Sequence, residues 1–302
     1  MRLIFLGTGG TYPSMKRGVT SIAVQLRSEV LLLDCGECTQ RQLMGSSVSF
    51  MKISRILISH LHADHFLGLP GLIQSMSLNG REDKLVVLGP EGTADMVESI
   101  MNLGHFDCGY EVVSQELAPG DYIDAGTYGI TAANADHTVP SLAYSIEERT
   151  RLGRFSLDKA LALGIQPGPL YSRLQCGETV EHKGIMVHPE HVIGEPRRGR
   201  KVVYTGDTRK CSSVTDLARA ADVLIHDATF DSSLEEQAVK YGHSTARQAA
   251  EVAVEAGVGR LFLVHISPRY DDSSRLTAEA VEVFAKSMVP DELSEYVIDL
   301  PD

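Results

Sequence analysis

The sequence has no apolar run near the roughly 18 residues that a membrane-spanning helix needs. Its N-terminal apolar stretch, Leu3 to Leu6, is also too short for the hydrophobic region of a secretory signal. Five cysteines are an odd number with no framework spacing, so a disulfide-stapled secreted domain is excluded. Cys35 and Cys38 form a CxxC, but no second pair completes a zinc site, and both read as small buried residues in a turn. These absences predict a cytoplasmic protein. Basic charge is also scarce, since 28 Lys and Arg face 40 Asp and Glu for a net of −12. Such a balance argues against nucleic-acid binding over the whole surface.

The scarcity is uneven. Residues 147–201 hold ten basic and seven acidic groups, a local net of +3 on an otherwise acidic body. The same stretch is dense in Gly and Pro, including Gly164, Pro167, Gly168, Pro169, Gly184 and Pro189. A structureless loop of that length is unexpected inside a compact core. The segment therefore reads as an arm or small subdomain inserted between two core strands, leaving 1–146 and 202–302 as one discontinuous core.

Within the core, short apolar runs bounded by turns predict strands at Arg2–Leu6, Val19–Arg27, Val30–Asp34, Ser54–Ser59, Leu85–Leu88, Tyr110–Leu117 and Tyr128–Ala133. Strands and helices alternate toward the C-terminus. Strands are expected at Lys201–Thr205, Val223–His226 and Arg260–Val264, and helices at Val214–Ala221, Thr245–Ala256 and Thr277–Ser287. Earlier helices are expected through Thr93–Leu103 and over Phe66–Leu78, the latter becoming regular after Pro70 and Gly71.

The strongest signal is Ser-His-Leu-His-Ala-Asp-His at residues 59–65. His60, His62, Asp64 and His65 follow directly on a strand. A loop at a strand end turns successive side chains to one side, which a helix or strand does not do at this spacing. Imidazole suits zinc, and carboxylate adds charge for a second cation. Four ligands this close do not complete two tetrahedral sites. His137, Asp207 and His265, each placed where a strand stops, are candidates for the rest.

This pattern resembles the metallo-β-lactamase superfamily, with its HxHxDH followed by His, Asp and His. The resemblance implies an α/β protein, an αββα sandwich with two Zn2+ per subunit at one edge. His60, His62 and His137 would hold one ion, and Asp64, His65 and His265 the other, with Asp207 bridging. Further motifs resemble ribonuclease Z (tRNase Z, short form). They are Phe-Leu-Gly-Thr-Gly-Gly-Thr-Tyr-Pro at 5–13, Asp-Cys-Gly-Glu-Cys-Thr-Gln at 34–40, His-Asp-Ala-Thr-Phe at 226–230 and His-Ser-Thr at 243–245. Cys38 stands where that family has Gly, and Asp227 where it has Glu. That resemblance implies His243 as general acid oriented by Asp227, and Asp64 as the base that positions the attacking water. The Gly-Pro segment around Gly168 and Pro169, with Arg173, resembles the family's tRNA-gripping flexible arm. The implied activity is removal of the 3′ trailer from precursor tRNA by a homodimer. Another hydrolase on the same fold, acting on a small phosphodiester or thioester, is the alternative, but such enzymes lack the Gly-Pro arm.

Overall fold

A computed structural model describes residues 1–301. The chain divides into two compact units, Met1–Glu147 with Arg200–Asp299, and Glu148–Gly199 with Leu300 and Pro301.

The larger unit opens with β1 (Arg2–Gly7), β2 (Ser21–Gln25), β3 (Val30–Leu33), β4 (Ile53–Leu57), β5 (Leu85–Gly89) and β6 (Val112–Glu116). It continues with β7 (Tyr122–Asp124), β8 (Tyr128–Ala135) and β9 (Ser141–Glu148). The smaller unit contributes β10 (Val180–His182) and β11 (Ile185–Val187). The chain then returns through β12 (Lys201–Tyr204), β13 (Val223–Asp227), β14 (Leu261–Val264), β15 (Ser287–Met288) and β16 (Glu295–Val297). The larger unit holds two sheets, ordered β16-β1-β2-β3-β4-β5-β6 and β15-β14-β13-β12-β9-β8-β7. The smaller unit leaves after β9 and returns before β12, and these strands pair antiparallel with Glu147 opposite Lys201.

The two sheets pack face to face because their strands are apolar on both sides. β3, with sequence Val-Leu-Leu-Leu, and β14, Leu-Phe-Leu-Val, are buried throughout, as strands covered on both faces require. Alternate residues serve alternate layers. Leu3, Phe5, Leu31 and Leu33 meet Tyr128, Tyr144, Tyr204 and Phe262 between the sheets. Ile4, Leu32 and Ile56 instead face α1 (Thr39–Gly45) and α2 (Leu69–Leu78), with α3 (Thr93–Met101) alongside. On the opposite outer side, Val203, Leu224 and Leu263 meet α6 (Ser212–Leu217), α8 (Ala246–Ala256) and α9 (Ser274–Val283). The result is the four-layer αββα sandwich. Each fully buried Leu, Val or Phe in it stabilises by about 1.5–3 kcal/mol.

α8 shows how local chemistry sets an element. Thr245 accepts from the Gln248 backbone and Gln248 reaches back to Thr245, a reciprocal cap, while Gly257 at φ 64° ends the helix. Ala249, Val252, Ala253 and Ala256 form its buried face.

Several expected boundaries shift. α2 starts at Leu69, with Pro70 in its first turn, where a missing N–H costs nothing. α9 ends at Val283, and Ser287 begins a strand. Cys35 is buried but Cys38 is exposed, so the expectation of two buried residues fails for Cys38.

The smaller unit has its own apolar core. α4 (Leu157–Ala162), α5 (Pro169–Gln175) and the β10–β11 hairpin close over Ala160, Ile165, Tyr171, Leu174, Val180 and Val192. Among the described residues no helix is long and apolar enough to cross a membrane.

Candidate metal centre and catalytic site

The site is built from strand ends. Asp34 follows β3 at φ 53° and His265 follows β14 at φ 60°. Both are non-glycine residues in the left-handed region, a costly conformation that turns a side chain sharply out of its strand and clusters at functional sites. His60 and His62 lie in the loop after β4, Asp64 and His65 in the 3-10 turn Ala63–His65 that follows, His137 after β8, Asp207 after β12, and Asp227 at the end of β13. Gly206, at φ 58°, lets the chain pass Ser59, whose Cβ would lie 2.4 Å from any Cβ at position 206.

These ends bring the seven predicted ligands into two adjoining groups. In the first, His60 Nε2 lies 2.9 Å from His62 Nδ1, and His62 Nδ1 lies 3.2 Å from His137 Nε2. Asp207 Oδ2 is 3.7 Å from His60 Nε2. In the second, Asp64 Oδ2 lies 3.7 Å from His65 Nε2 and 3.4 Å from His265 Nε2. The same Asp207 Oδ2 is 3.4 Å from His65 Nε2 and 3.2 Å from His265 Nε2, so it belongs to both groups. Donors around a tetrahedral zinc with bonds of about 2.0–2.1 Å lie about 3.3–3.4 Å apart, close to this spacing.

Hydrogen bonding leaves the converging atoms bare. His65 Nδ1 contacts Asp34 Oδ2 at 2.6 Å, and His137 Nδ1 contacts the Gly242 carbonyl at 2.7 Å. Both acceptors are oxygens, so both imidazoles carry their proton on Nδ1 and present an Nε2 lone pair inward. His65 Nε2 and Asp207 Oδ1 are buried without a hydrogen-bond partner. Burial opposes charge on His65, yet the Asp207 and Asp34 carboxylates push it well above its ordinary value, so Nε2 would hold either a proton or, in its place, a metal ion. Burial likewise opposes charge on Asp207, and its imidazole neighbours hold it well below the usual carboxylate range. A pocket of lone pairs and carboxylates that draws positive charge fits metal cations.

Beside this cluster, His243 Nδ1 lies 2.9 Å from Asp227 Oδ2 and 3.8 Å from Asp207 Oδ2. Burial alone would lower His243, but Asp227, through charge and hydrogen bond, pushes it up to about 9. The shorter Asp reaches its histidine despite standing where the related family has Glu. Its other oxygen is held by the Thr229 backbone N–H and hydroxyl. His243 lines a cavity of about 360 Å3 with Thr11, His62, His137, Phe230 and Arg269.

Of the remaining candidates, Gly168 precedes α5, Pro169 opens it, and Arg173 pairs with Glu178 at 2.8 Å. All three belong to the smaller unit. Thr11 and Asp34, quoted in the motifs without a role, and Gly242, not singled out in the sequence, support the site. The Thr11 backbone N–H donates to Asp64 Oδ2 at 2.7 Å from a left-handed φ of 70°. At Gly242 an added Cβ would stand 2.6 Å from His137 Nδ1. Gly242 stands next to His243 in the sequence, but nothing there shows that it packs on His137.

Comparison with known proteins accords with this geometry. The family model for a beta-lactamase superfamily domain matches residues 181–266, and that for the anti-Pycsar protein Apyc1 matches residues 1–104. The ribonuclease Z of Methanosarcina mazei is 47% identical over 98% of this chain and 97% of its own. That of Methanothermobacter thermautotrophicus is 45% identical over 97% and 95%. The crystal structure of human tRNase Z, short form, superposes with a TM-score of 0.71 at 27% identity, covering 100% of both chains. Identity at this level over nearly the whole of both chains, with the fold shared as well, makes the chain a member of the ribonuclease Z family.

Proposed function

We propose that this protein is a tRNA 3′-processing endoribonuclease that cuts precursor tRNA after the discriminator base. The products would be a tRNA ending in a 3′-hydroxyl and a trailer beginning with a 5′-phosphate. The observation that carries this reading is His243, a largely buried imidazole held by Asp227 at 2.9 Å, beside His and Asp groups that could hold metal. Phosphodiester cleavage needs such a proton donor, because the departing ribose oxygen is a poor leaving group until protonated.

Two Zn2+ are proposed, one held by His60, His62 and His137, the other by Asp64, His65 and His265, with Asp207 shared. Bound there, they would activate water and offset the charge of the phosphodiester. The chain's own groups do the rest. Asp64, fixed by the Thr11 N–H, orients the attacking water and accepts its proton. Burial disfavours its charge, but His265 and His65 hold it below the usual carboxylate range, so it stays ionised. His243 uses Nδ1 on Asp227, which leaves Nε2 to donate a proton to the 3′ oxygen as the P–O3′ bond breaks. The arm, through Gly168, Pro169, Arg173 and neighbouring cations, would grip the folded tRNA by shape and backbone. A homodimer in the cytoplasm is the proposed working form.

The test is cleavage of a 3′-extended precursor tRNA by zinc-loaded protein, with Asp64→Ala as control. A single cut after the discriminator base, lost in the variant, is expected. Intact RNA with metal-loaded, folded protein would sink the tRNA reading and turn attention to small phosphodiesters.

A further inference from the structure

Two of the proposed metal-ligand imidazoles, His60 and His265, reach a buried carboxylate through a hydroxyl. His265 Nδ1 contacts the Thr229 hydroxyl at 2.8 Å, and that hydroxyl donates to Asp227 Oδ1 at 2.7 Å. Thr229 has one hydroxyl proton, and the ionised carboxylate only accepts. The proton therefore goes to Asp227, and the hydroxyl oxygen must accept from His265 Nδ1–H. This leaves His265 Nε2 as the lone-pair atom facing Asp64 and Asp207. Asp227 thus orients the proposed general acid His243 with one oxygen and, through Thr229, a metal ligand with the other.

The same device occurs a second time. Asp34 Oδ2 contacts His65 Nδ1 directly and also accepts from the Ser59 hydroxyl at 2.8 Å. Ser59 Oγ lies 3.0 Å from His60 Nδ1, so it accepts there. Two buried carboxylates each serve one imidazole directly and one through a hydroxyl. Thr229 and Ser59 are 3% and 0% exposed, so bulk water does not replace either hydroxyl.

We infer that the Thr229 hydroxyl is a positioning group, which fixes His265 in the Nδ1–H form and couples metal retention to the carboxylate behind His243. The inference rests on the metal-site reading above but not on the identity of the substrate. Thr229 also has a turn-forming role, because its backbone N–H donates to Asp227 Oδ1 at 2.9 Å. A valine at this position keeps that N–H and the shape but removes the hydroxyl.

The experiment loads Thr229→Val, Thr229→Ser and the parent with zinc and measures metal retained per chain against a competing chelator. Circular dichroism confirms folding. Loss of an outer hydrogen-bond partner typically costs about 10–100-fold in metal affinity. That loss is expected for Thr229→Val, with Thr229→Ser within about twofold of the parent. Equal retention by Thr229→Val and the parent overturns the inference. So does an equal loss in Thr229→Ser, which would assign the effect to the methyl group. If the valine variant does not fold, Thr229→Ala against Thr229→Ser makes the same comparison: loss in alanine alone supports the hydroxyl, and equal retention refutes it. No RNA enters the measurement, so its failure would leave the cleavage reading standing.

Discussion

His243 Nδ1 and Asp227 Oδ2 stand 2.9 Å apart, and this contact sets the protonation state of the proposed general acid. A histidine acts as an acid only while protonated, and its protonated fraction falls as pH rises through its pKa. Asp227 raises that pKa, against the effect of burial, to about 9, and nearby cations would pull it back down. The parent should therefore lose activity on an alkaline limb at or below that value. Asp227→Asn removes the negative charge, lowers the pKa and should move the limb to lower pH, with kcat at neutral pH reduced about 10–100-fold. A pH–rate profile of metal-loaded variant and parent reads this. An unmoved limb would remove His243 from the acid role.

Metal removal should loosen the core as well as stop catalysis. Asp64 and Asp207 both crowd His265 Nε2, at 3.4 and 3.2 Å. Bound cations would hold these groups together, and binding to the folded state alone stabilises it by about 4 kcal/mol at a thousandfold excess over Kd. For a domain of this size each kcal/mol moves Tm by about 2–4 °C. Chelation should therefore lower Tm by roughly 10 °C, and zinc should restore it. A chelated sample with the parent's Tm would show that the cluster does not hold metal in the folded protein.

How much of this was legible in the sequence depends on the range of the contact. His60, His62, Asp64 and His65 are local, and the strand before them is a plain apolar run, so their convergence could be read directly. His137, Asp207 and His265 were legible because each ends a strand. Ser59 and Thr229 were not, since their hydroxyls act through partners 25 and 36 residues away. The strand β9 also escaped. Its Ser141 and Ser145 are buried, which blurs the apolar signal. β16 is only three residues long, and its pairing with β1 spans nearly the whole chain.

Cys38 offers a test away from the site. It adopts φ 73° at the start of α1, although it has a Cβ. The turn that glycine would allow thus forms here at a steric cost of about 1–2 kcal/mol. The side chain is exposed and caps nothing. Cys38→Gly should relieve the strain and raise stability by about 1 kcal/mol, less the entropy glycine adds to the unfolded chain. Urea denaturation measures it. A lower midpoint with unchanged slope would mean that the thiol makes a compensating contact.

The related family's Glu at position 227 poses the opposite case. Asp227 is fully buried, and both its oxygens are occupied. Oδ1 accepts from the Thr229 N–H and hydroxyl, and Oδ2 from the Thr208 N–H and His243. Asp227→Glu adds a methylene where surrounding groups are already at hydrogen-bond distance. The longer side chain must either push His243 toward Asp207, 3.8 Å away, or give up the Thr229 bonds. Overpacking a closed site costs about 1–3 kcal/mol. The variant should therefore be less stable by that amount and no more active than the parent, even though it restores the residue found in relatives. Urea midpoints and kcat read the two effects separately. A variant as stable as the parent with equal or higher kcat would mean that the backbone around β13 adjusts to side-chain length, and that the tight fit seen here does not limit the site.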